Sequence, residues 1–346
     1  MCEEDVPRPI AAPLEAETYA AVVQKSKPGV LHSASKLRHI VPPRLLVYLG
    51  LIYVVACWGL NVVLVKSAIA HLDPLAFTAL RFLAMTPLAF VLVYASGERI
   101  RIQRRDILPL VLCAAFGYGA YQYVWIIGLA NTSAFASSLL GATAPIFTLA
   151  FVAIAGHEKI RSGRWIGAGL ALLGIAIFEG AFAGHATFRI GDALTVVSSI
   201  LFAAYNVSTS RLLDRYSPIV LVAITMTIGM LMILPVGIPR LLHSDITHFG
   251  WEVWGPFAFA VVFPIVLTWP VWNYGIGQIG AARAGLFGFL VPIVAGFASI
   301  PILGTSFQPH QLVGAAVCIA GMMIASALGK FSVTAIWAER SLPLER

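Results

Sequence analysis

The sequence has 346 residues, of which 59% are hydrophobic and only 11% charged, and its mean hydropathy is +0.86. This composition excludes an ordinary water-soluble globular domain and predicts an all-α polytopic membrane protein. The formal net charge of +7 needs no nucleic-acid partner if the basic residues are loop charges on one side of a bilayer. The lipid bilayer is therefore the first expected partner, and nucleic acid is not one.

The predicted elements begin after a hydrophilic N-terminal segment. Residues 1–44 contain no apolar run and are predicted to be a disordered cytosolic tail, and residues 330–346 a second cytosolic tail. A helix needs about 20 apolar residues to cross the hydrocarbon. Ten segments meet this need, at 45–67, 74–96, 107–130, 133–155, 164–183, 190–212, 218–241, 251–275, 279–302 and 311–329.

The ten predicted spans fall into two similar halves. Residues 128–145 read GLANTSAFASSLLGATAP, and residues 275–292 read GIGQIGAARAGLFGFLVP. Both segments begin with glycine and end with proline at the same spacing, which indicates an internal duplication. The predicted domains are a first five-helix repeat at 45–183 and a second at 190–329. A constant offset of 147 residues pairs further positions, namely Trp125 with Trp272, Gly141 with Gly288, Gly167 with Gly314 and Gly174 with Gly321.

The basic residues predict the orientation of the chain. Eighteen of the 23 Lys and Arg residues fall in segments on the same side as the N-terminus, so the positive-inside rule places both termini in the cytoplasm of a cell (inner or plasma) membrane. Because each repeat has an odd number of spans, the second copy is predicted to lie inverted relative to the first. Inverted-topology repeats are typical of secondary transporters, which bind a small-molecule substrate near the midplane between the copies.

Several short segments occur in an order that resembles the drug/metabolite transporter superfamily, EamA type. They are WGLN at 58–61, ALRF at 79–82, GHE at 156–158 and RWIGAGLALLG at 164–174. The resemblance covers about residues 45–329. It implies a ten-helix basket whose central cavity is lined mainly by helices 1, 3, 4, 6, 8 and 9, and transport of small metabolites, often amino acids outward. One departure is that Gly304-Thr305 replaces the acidic GHE ending in the second copy.

Polar and aromatic residues inside the spans are the expected substrate contacts. Tyr121 and Trp125 lie on one helix face, although Trp125 is equally compatible with an interfacial aromatic belt. Asn61 and Asn206 occupy matched first helices, where a buried amide needs a partner, so hydrogen bonding between helices remains an alternative for both. The predicted substrate-binding residues are Trp58, Asn61, Tyr121, Trp125, Ser137, Tyr205, Asn206, Thr268 and Trp272.

Two Gly-x-x-x-Pro segments predict bent helices at matched positions. Each proline leaves the carbonyl of the glycine four residues earlier without its helical hydrogen bond, which suits a hinge beside a cavity as well as a static kink. The predicted hinge residues are Gly141, Pro145, Gly288 and Pro292. Among the charged residues, Arg81 inside the second span and Glu179 at the end of the fifth are candidates for gating, substrate binding or coupling, with a structural role open for Arg81.

These patterns predict a secondary active transporter that moves a small metabolite, an amino acid or a similar compound, outward by alternating access. A nucleotide-sugar-type exchanger or uptake carrier remains the alternative within the superfamily, and a channel, sensor or membrane-embedded enzyme the alternative outside it. Phosphate-loop and zinc-site motifs are absent from the sequence, so neither an enzyme nor a cofactor or metal is expected. Coupling to protons or to a counter-substrate, and a monomeric or homodimeric state, are both left open.

Overall fold

The structure is a computed structural model that describes residues 43–154, 162–178, 180–181, 189–244, 248–304 and 308–327. Within these ranges every regular element is a helix and no strand occurs. The predicted tail at 330–346 lies outside the described residues, as does the tail at 1–44 except for its last two residues, which begin the first helix.

The helices follow the predicted spans in chain order. The first repeat contains α1 (Pro43–Ala68), α2 (Pro74–Ser96), α3 (Ile107–Ala114 and Ala120–Ala130, joined by the π-helical turn Ala115–Gly119), α4 (Ala134–Gly141 and Ala144–Ile154) and α5 (Ser162–Phe178). The second contains α6 (Ile190–Leu212), α7 (Pro218–Leu242), α8 (Trp251–Val261 and Thr268–Ile279, joined by the π-helical turn Val262–Leu267), α9 (Ala281–Leu286, the 3-10 turn Phe287–Leu290 and Val291–Leu303) and α10 (Pro309–Ala327).

Length and hydropathy separate these helices into two groups. Within the described ranges, eight are long and apolar enough to cross a membrane: α1, α2, α3, α4, α6, α7, α8 and α9. The other two, α5 and α10, are shorter apolar helices. The predicted class, an all-α polytopic membrane protein, is confirmed, whereas the count of ten spans stays a prediction.

The two repeats share their irregularities as well as their sequence. The π-helical turns of α3 and α8 begin at Ala115 and Val262, which are 147 residues apart. The same offset takes the interruption of α4, at Ala142 and Thr143, onto the 3-10 turn Phe287–Leu290 of α9. π-helical turns are rare and often mark functional positions. Their occurrence at matched positions in α3 and α8, together with the matched interruptions of α4 and α9, indicates that the functional positions lie near the middle of these four helices.

Helices α5 and α10 cross closely at matched glycines. A Cβ atom added to Gly174 would lie 2.8 Å from the carbonyl oxygen of Gly314, and one added to Gly314 would lie 2.6 Å from that of Gly174. Such distances are too short for any side chain. Small residues at this crossing therefore let the two backbones touch.

One end of the bundle, where α2 and α6 begin, is fixed by side chains that satisfy helix termini. Asp73 accepts hydrogen bonds from the first turn of α2 and forms an ion pair with Arg240, at 3.1 Å, from the last turn of α7. Asp192 in the first turn of α6 accepts a 2.5 Å hydrogen bond from the hydroxyl of Thr132. Lys66 donates to the terminal carbonyls of α3, where the helix dipole favours a cation.

The opposite end is held by a buried carboxylate. Asp106, 1% exposed, forms a 2.8 Å ion pair with Arg215 and accepts a 2.9 Å hydrogen bond from the hydroxyl of Tyr216. Nearby, Ser217 donates a hydrogen bond to Glu98. These contacts join the segment before α3 to the segment after α6, so both ends of the bundle connect the first repeat to the second.

Candidate functional site

A central cavity lies between the two repeats. It contains about 860 Å³ of empty space, its open mouth included. Its walls come from the six helices that the family resemblance implies, α1, α3, α4, α6, α8 and α9, and from α2, which contributes Arg81. The cavity therefore lies beside the interruptions of α4 and α9 and the π-helical turn of α8, whereas the lining residues of α3 follow its own π-helical turn.

Most of the predicted substrate-binding residues are lining residues of this one cavity. They are Trp58, Asn61, Tyr121, Trp125, Ser137, Asn206 and Trp272. The hinge candidates Gly141, Pro145 and Gly288 and the charged candidate Arg81 also line it. Glu179 lies outside the described residues.

Two predicted contacts lie behind the wall, which corrects the expectation that they face the cavity. Tyr205 is fully buried, and its hydroxyl donates a 2.8 Å hydrogen bond to the side chain of Asn273. The hydroxyl of Thr268 donates back to the carbonyl of Pro264 at 2.6 Å, a local bond that short hydroxyl side chains favour in helices. Thr268 is the repeat counterpart of Tyr121, but it is fully buried and is not among the residues that line the cavity.

Five rings form one side of the cavity, and we call Trp58, Tyr121, Phe202, Trp269 and Trp272 the aromatic wall. Neighbouring ring centroids are 4.8 Å apart for Trp58 and Trp272, 5.4 Å for Tyr121 and Phe202, and 6.0 Å for Phe202 and Trp269. These distances are typical of favourable aromatic pairs. The wall therefore offers a continuous apolar surface drawn from α1, α3, α6 and α8.

Two indole N–H groups of the wall, those of Trp58 and Trp272, already donate to other parts of the protein. The indole N–H of Trp58 donates to the carbonyl of Pro264 at 2.8 Å, in the π-helical turn of α8. The indole N–H of Trp272 donates to the amide oxygen of Asn206 at 2.9 Å, and the Asn206 amide nitrogen donates to Thr148 at 3.3 Å. With both amide atoms engaged, Asn206 joins α4, α6 and α8, so the hydrogen-bonding alternative describes it well.

The cavity also carries a buried cation. Arg81 is 1% exposed, and its Nη2 donates a 2.7 Å hydrogen bond to the side-chain oxygen of Gln122. Its guanidinium carbon lies 5.8 Å from the ring centroids of both Phe77 and Trp125, within the range of a cation–π interaction. Trp125 is only 8% exposed. Its contact with Arg81 argues against the aromatic-belt alternative, which needs a ring at the lipid surface.

Three polar groups in the cavity wall have no hydrogen-bond partner among the residues that the structure describes. They are the Nε of Arg81, the amide oxygen of Asn61 and the hydroxyl of Ser137. Buried polar groups in folded proteins are nearly always paired. A cavity lined by three such groups is therefore suited to a polar ligand or to ordered water.

The interruption of α4 exposes backbone carbonyls at the cavity. The hydroxyl of Ser199 lies 3.0 Å from the carbonyl oxygen of Leu140 and 3.3 Å from that of Gly141, the carbonyl that Pro145 is predicted to free. Non-helical backbone at membrane depth is tolerated where it lines such a cavity. Pro292 occupies the matching position in the first turn of Val291–Leu303 but, unlike Pro145, is not among the residues that line the cavity. Motion at these positions stays a prediction.

Sequence reasoning missed several lining residues, including Gln122, Ser198, Ser199, Phe202, Trp269 and Gly285. The repeat register held a signal for some of them. The offset of 147 pairs Gln122 with Trp269 and Ser138 with Gly285, and all four line the cavity. Phe202 had no such signal, because an aromatic residue in an apolar span has the same sequence context whether it faces lipid, the protein core or the cavity.

Comparison with protein families identifies both halves of the chain. The EamA-like transporter family matches residues 45–179 and again residues 189–327. The two matches nearly coincide with the two repeats predicted from the glycine and proline register.

Curated relatives match along most of their length. An uncharacterised transporter of Bacillus subtilis is 26% identical, over 76% of this chain and 88% of the relative. A probable terminal-alkyne amino-acid exporter of Streptantibioticus cattleyicolor is 27% identical, over 78% of this chain and 92% of the relative. A probable amino-acid metabolite efflux pump of Salmonella typhimurium is 24% identical, over 78% and 91%.

A solved crystal structure has the same fold. It aligns with a TM-score of 0.68 over 83% of this chain and 98% of that chain, at 16% sequence identity. At this identity the likeness concerns the fold alone.

Proposed function

Because the chain belongs to the EamA-like transporter family, we propose that it is a secondary carrier that moves a small metabolite through the central cavity by alternating access. The observation that carries this proposal is the construction of the cavity. Both repeats contribute walls to it, and both place their interrupted helices beside it. Inverted repeats with broken helices at a shared site are the architecture through which secondary transporters expose a site to each side in turn.

The proposed substrate is an amino acid or a similar metabolite, and the proposed direction is outward. Relatives described as amino-acid exporters or efflux pumps support this choice. The cavity supports it as well, because its lining contains both the aromatic wall and polar groups that include Arg81 and Asn61, which suits a compound with one apolar and one polar part.

The proposed arrangement is a five-helix repeat at 45–183 and an inverted one at 190–329, with both termini in the cytoplasm of the cell membrane. The distribution of Lys and Arg supports this orientation. Under it, the end of the bundle with Asp73 and Asp192 faces outward, and the end with Asp106 faces the cytoplasm.

Flux measurements test the carrier proposal. The purified chain is placed in liposomes loaded with a mixture of unlabelled amino acids, and entry of each labelled amino acid is followed over time. A carrier predicts saturable counterflow, in which an outward gradient of unlabelled compound drives transient accumulation of the labelled one. Flux without saturation or counterflow would indicate a channel, a requirement for a nucleotide on the opposite side a nucleotide-sugar-type exchanger, and chemical modification of the compound an enzyme. A channel or an enzyme would overturn the carrier proposal, whereas a nucleotide-sugar-type exchanger would overturn the proposed amino-acid substrate.

A further inference from the structure

We propose that Arg81 and Gln122 bind the carboxylate of the transported compound, so that the cavity accepts apolar or aromatic carboxylates, zwitterions included, and rejects amines that lack a carboxylate. The inference rests on the proposed carrier function and specifies its substrate class.

The first step of the argument is the charge of Arg81. A guanidinium group stays protonated in proteins, and a buried cation is costly unless it is paired. Arg81 is 1% exposed. Among the residues that the structure describes, no carboxylate forms an ion pair with it, and its Nε donates to nothing. Two aromatic rings and one amide oxygen partly compensate the charge. An anionic ligand would supply the negative charge that these groups lack.

The second step is the orientation of Gln122. Because arginine can only donate, the atom of Gln122 that lies 2.7 Å from its Nη2 must be the oxygen. The remaining polar atom of Gln122 is then its amide nitrogen, also a donor. No described residue accepts from that nitrogen. Arg81 and Gln122 together therefore present N–H donors and no acceptor to the cavity, and the planar guanidinium matches the two oxygens of a carboxylate.

The third step is the rest of the cavity. Its described lining residues include no Asp and no Glu, so Arg81 is the single formal charge among them. The aromatic wall provides contact for an apolar remainder, and Asn61 and Ser137 provide further polar partners. A cation without a carboxylate would face Arg81 with nothing to neutralise it. The cavity thus selects by charge at Arg81 and by apolar contact at the aromatic wall.

The alternative is a purely structural role, in which Arg81 connects α2 to α3 through its contacts with Gln122 and Trp125. That role predicts a loss of stability when Arg81 is replaced. It predicts no dependence of binding on the charge of the ligand. The decisive readout is therefore the preference among matched ligands, which a structural role would not produce.

The experiment measures binding to the purified full-length protein by tryptophan fluorescence, since Trp58, Trp269 and Trp272 line the cavity. The three probes are L-phenylalanine, 3-phenylpropanoate and 2-phenylethylamine, which share a ring and differ in the carboxylate and the amine. We expect both carboxylates to bind and the amine to bind at least about tenfold more weakly, in line with one charge-assisted interaction. Equal or tighter binding of the amine, or no binding of either carboxylate at millimolar concentration, would overturn the proposal.

Variants connect this preference to the two residues. Arg81→Met should weaken carboxylate binding about 10- to 100-fold, and Arg81→Lys should retain part of it. The matched control is Arg101→Met, which removes an exposed arginine outside the cavity and should leave all three affinities unchanged. If Arg81→Met does not fold, Gln122→Glu replaces it. The new carboxylate would pair with Arg81, keep the protein folded and compete with the ligand. A carboxylate preference that survives in Gln122→Glu contradicts the proposal.

The binding and flux measurements distinguish a failure of the proposed carboxylate site from a failure of the proposed carrier function. If liposomes show counterflow of amines and the purified protein prefers them, the carrier function stands and the carboxylate site is wrong. If carboxylates bind through Arg81 but no compound shows counterflow, the carboxylate site stands and the carrier function is wrong.

Discussion

Asn206 shows how a polar residue at the cavity stabilises its wall. Its amide oxygen accepts from the indole of Trp272, and its amide nitrogen donates to Thr148, so one side chain fixes α4 and α8 to α6. The sequence indicated a role for Asn206, because an amide in hydrocarbon needs a hydrogen-bond partner. Which partner it has could not be predicted, since that depends on the rotation of three helices. Phe202 and Trp269 escaped prediction for the same reason.

Replacement of Asn206 tests this bridging role. Asn206→Ala leaves the Trp272 indole N–H without its acceptor, so we expect the free energy of unfolding in detergent to fall by about 1–2 kcal/mol. Thermal melting of the purified variant measures the change. Ser208→Ala, on the same helix, is the control and should melt like the parent. A parental melting temperature for Asn206→Ala would show that its hydrogen bonds add nothing to stability.

Two kinds of helix irregularity differ in how well they could be foreseen. Proline at positions 145 and 292 predicted interruptions in α4 and α9, and both helices are interrupted just before these residues. The π-helical turns of α3 and α8 were not predicted, because an extra residue is detected by the shift it causes in the apolar periodicity, and spans that are apolar on nearly every side have little periodicity to shift. Only their shared offset of 147 residues makes them recognisable once the structure is known.

The crossing of α5 and α10 gives a prediction with a matched control. Gly314→Ala places a methyl group against the backbone of Gly174, 2.6 Å from its carbonyl oxygen, so the helices must separate. We expect a loss of about 1–3 kcal/mol, typical of overpacking. Gly169→Ala lies on the exposed face of α5 with open space around it and should be neutral or slightly stabilising. Equal melting temperatures for the two variants would contradict the close crossing.

At the scale of the whole molecule, the architecture was largely readable from the sequence. Apolar segments predicted the helices, and the repeated glycine and proline register predicted the two halves that the family match finds again. The cavity-facing side of each helix was harder to predict. Lipid, core and cavity wall are all apolar, so periodicity carries little information inside a membrane.

The contacts at the two ends connect the repeats, and the proposed alternating access requires them to open in turn. At one end, Asp106 is held by Arg215 and Tyr216. Burial is the largest influence on the pKa of the Tyr216 hydroxyl and raises it. The Gln103 backbone lowers this pKa, the hydrogen bond to Asp106 and its charge raise it, and Arg215 lowers it, so that the pKa lies above its ordinary value. The hydroxyl therefore stays protonated at neutral pH and keeps donating to Asp106.

Asp106→Asn tests this end of the bundle. The change removes the ion pair with Arg215, which is 36% exposed and therefore partly screened, and weakens the hydrogen bond from Tyr216. We expect the free energy of unfolding to fall by about 1–3 kcal/mol. Asp214→Asn, an exposed neighbour, serves as the control in the same thermal melt. If both variants melt alike, the Asp106 contacts do not hold the repeats together.

The most direct test of alternating access is the accessibility of the cavity from both sides of the membrane. A single cysteine is introduced by Ser137→Cys in a chain whose own four cysteines are replaced by alanine, and a membrane-impermeant thiol reagent is applied to right-side-out and to inside-out vesicles. We predict labelling from both sides, with transported substrate slowing it on each. Labelling from one side only, under every condition, would contradict a cavity that both repeats expose in turn.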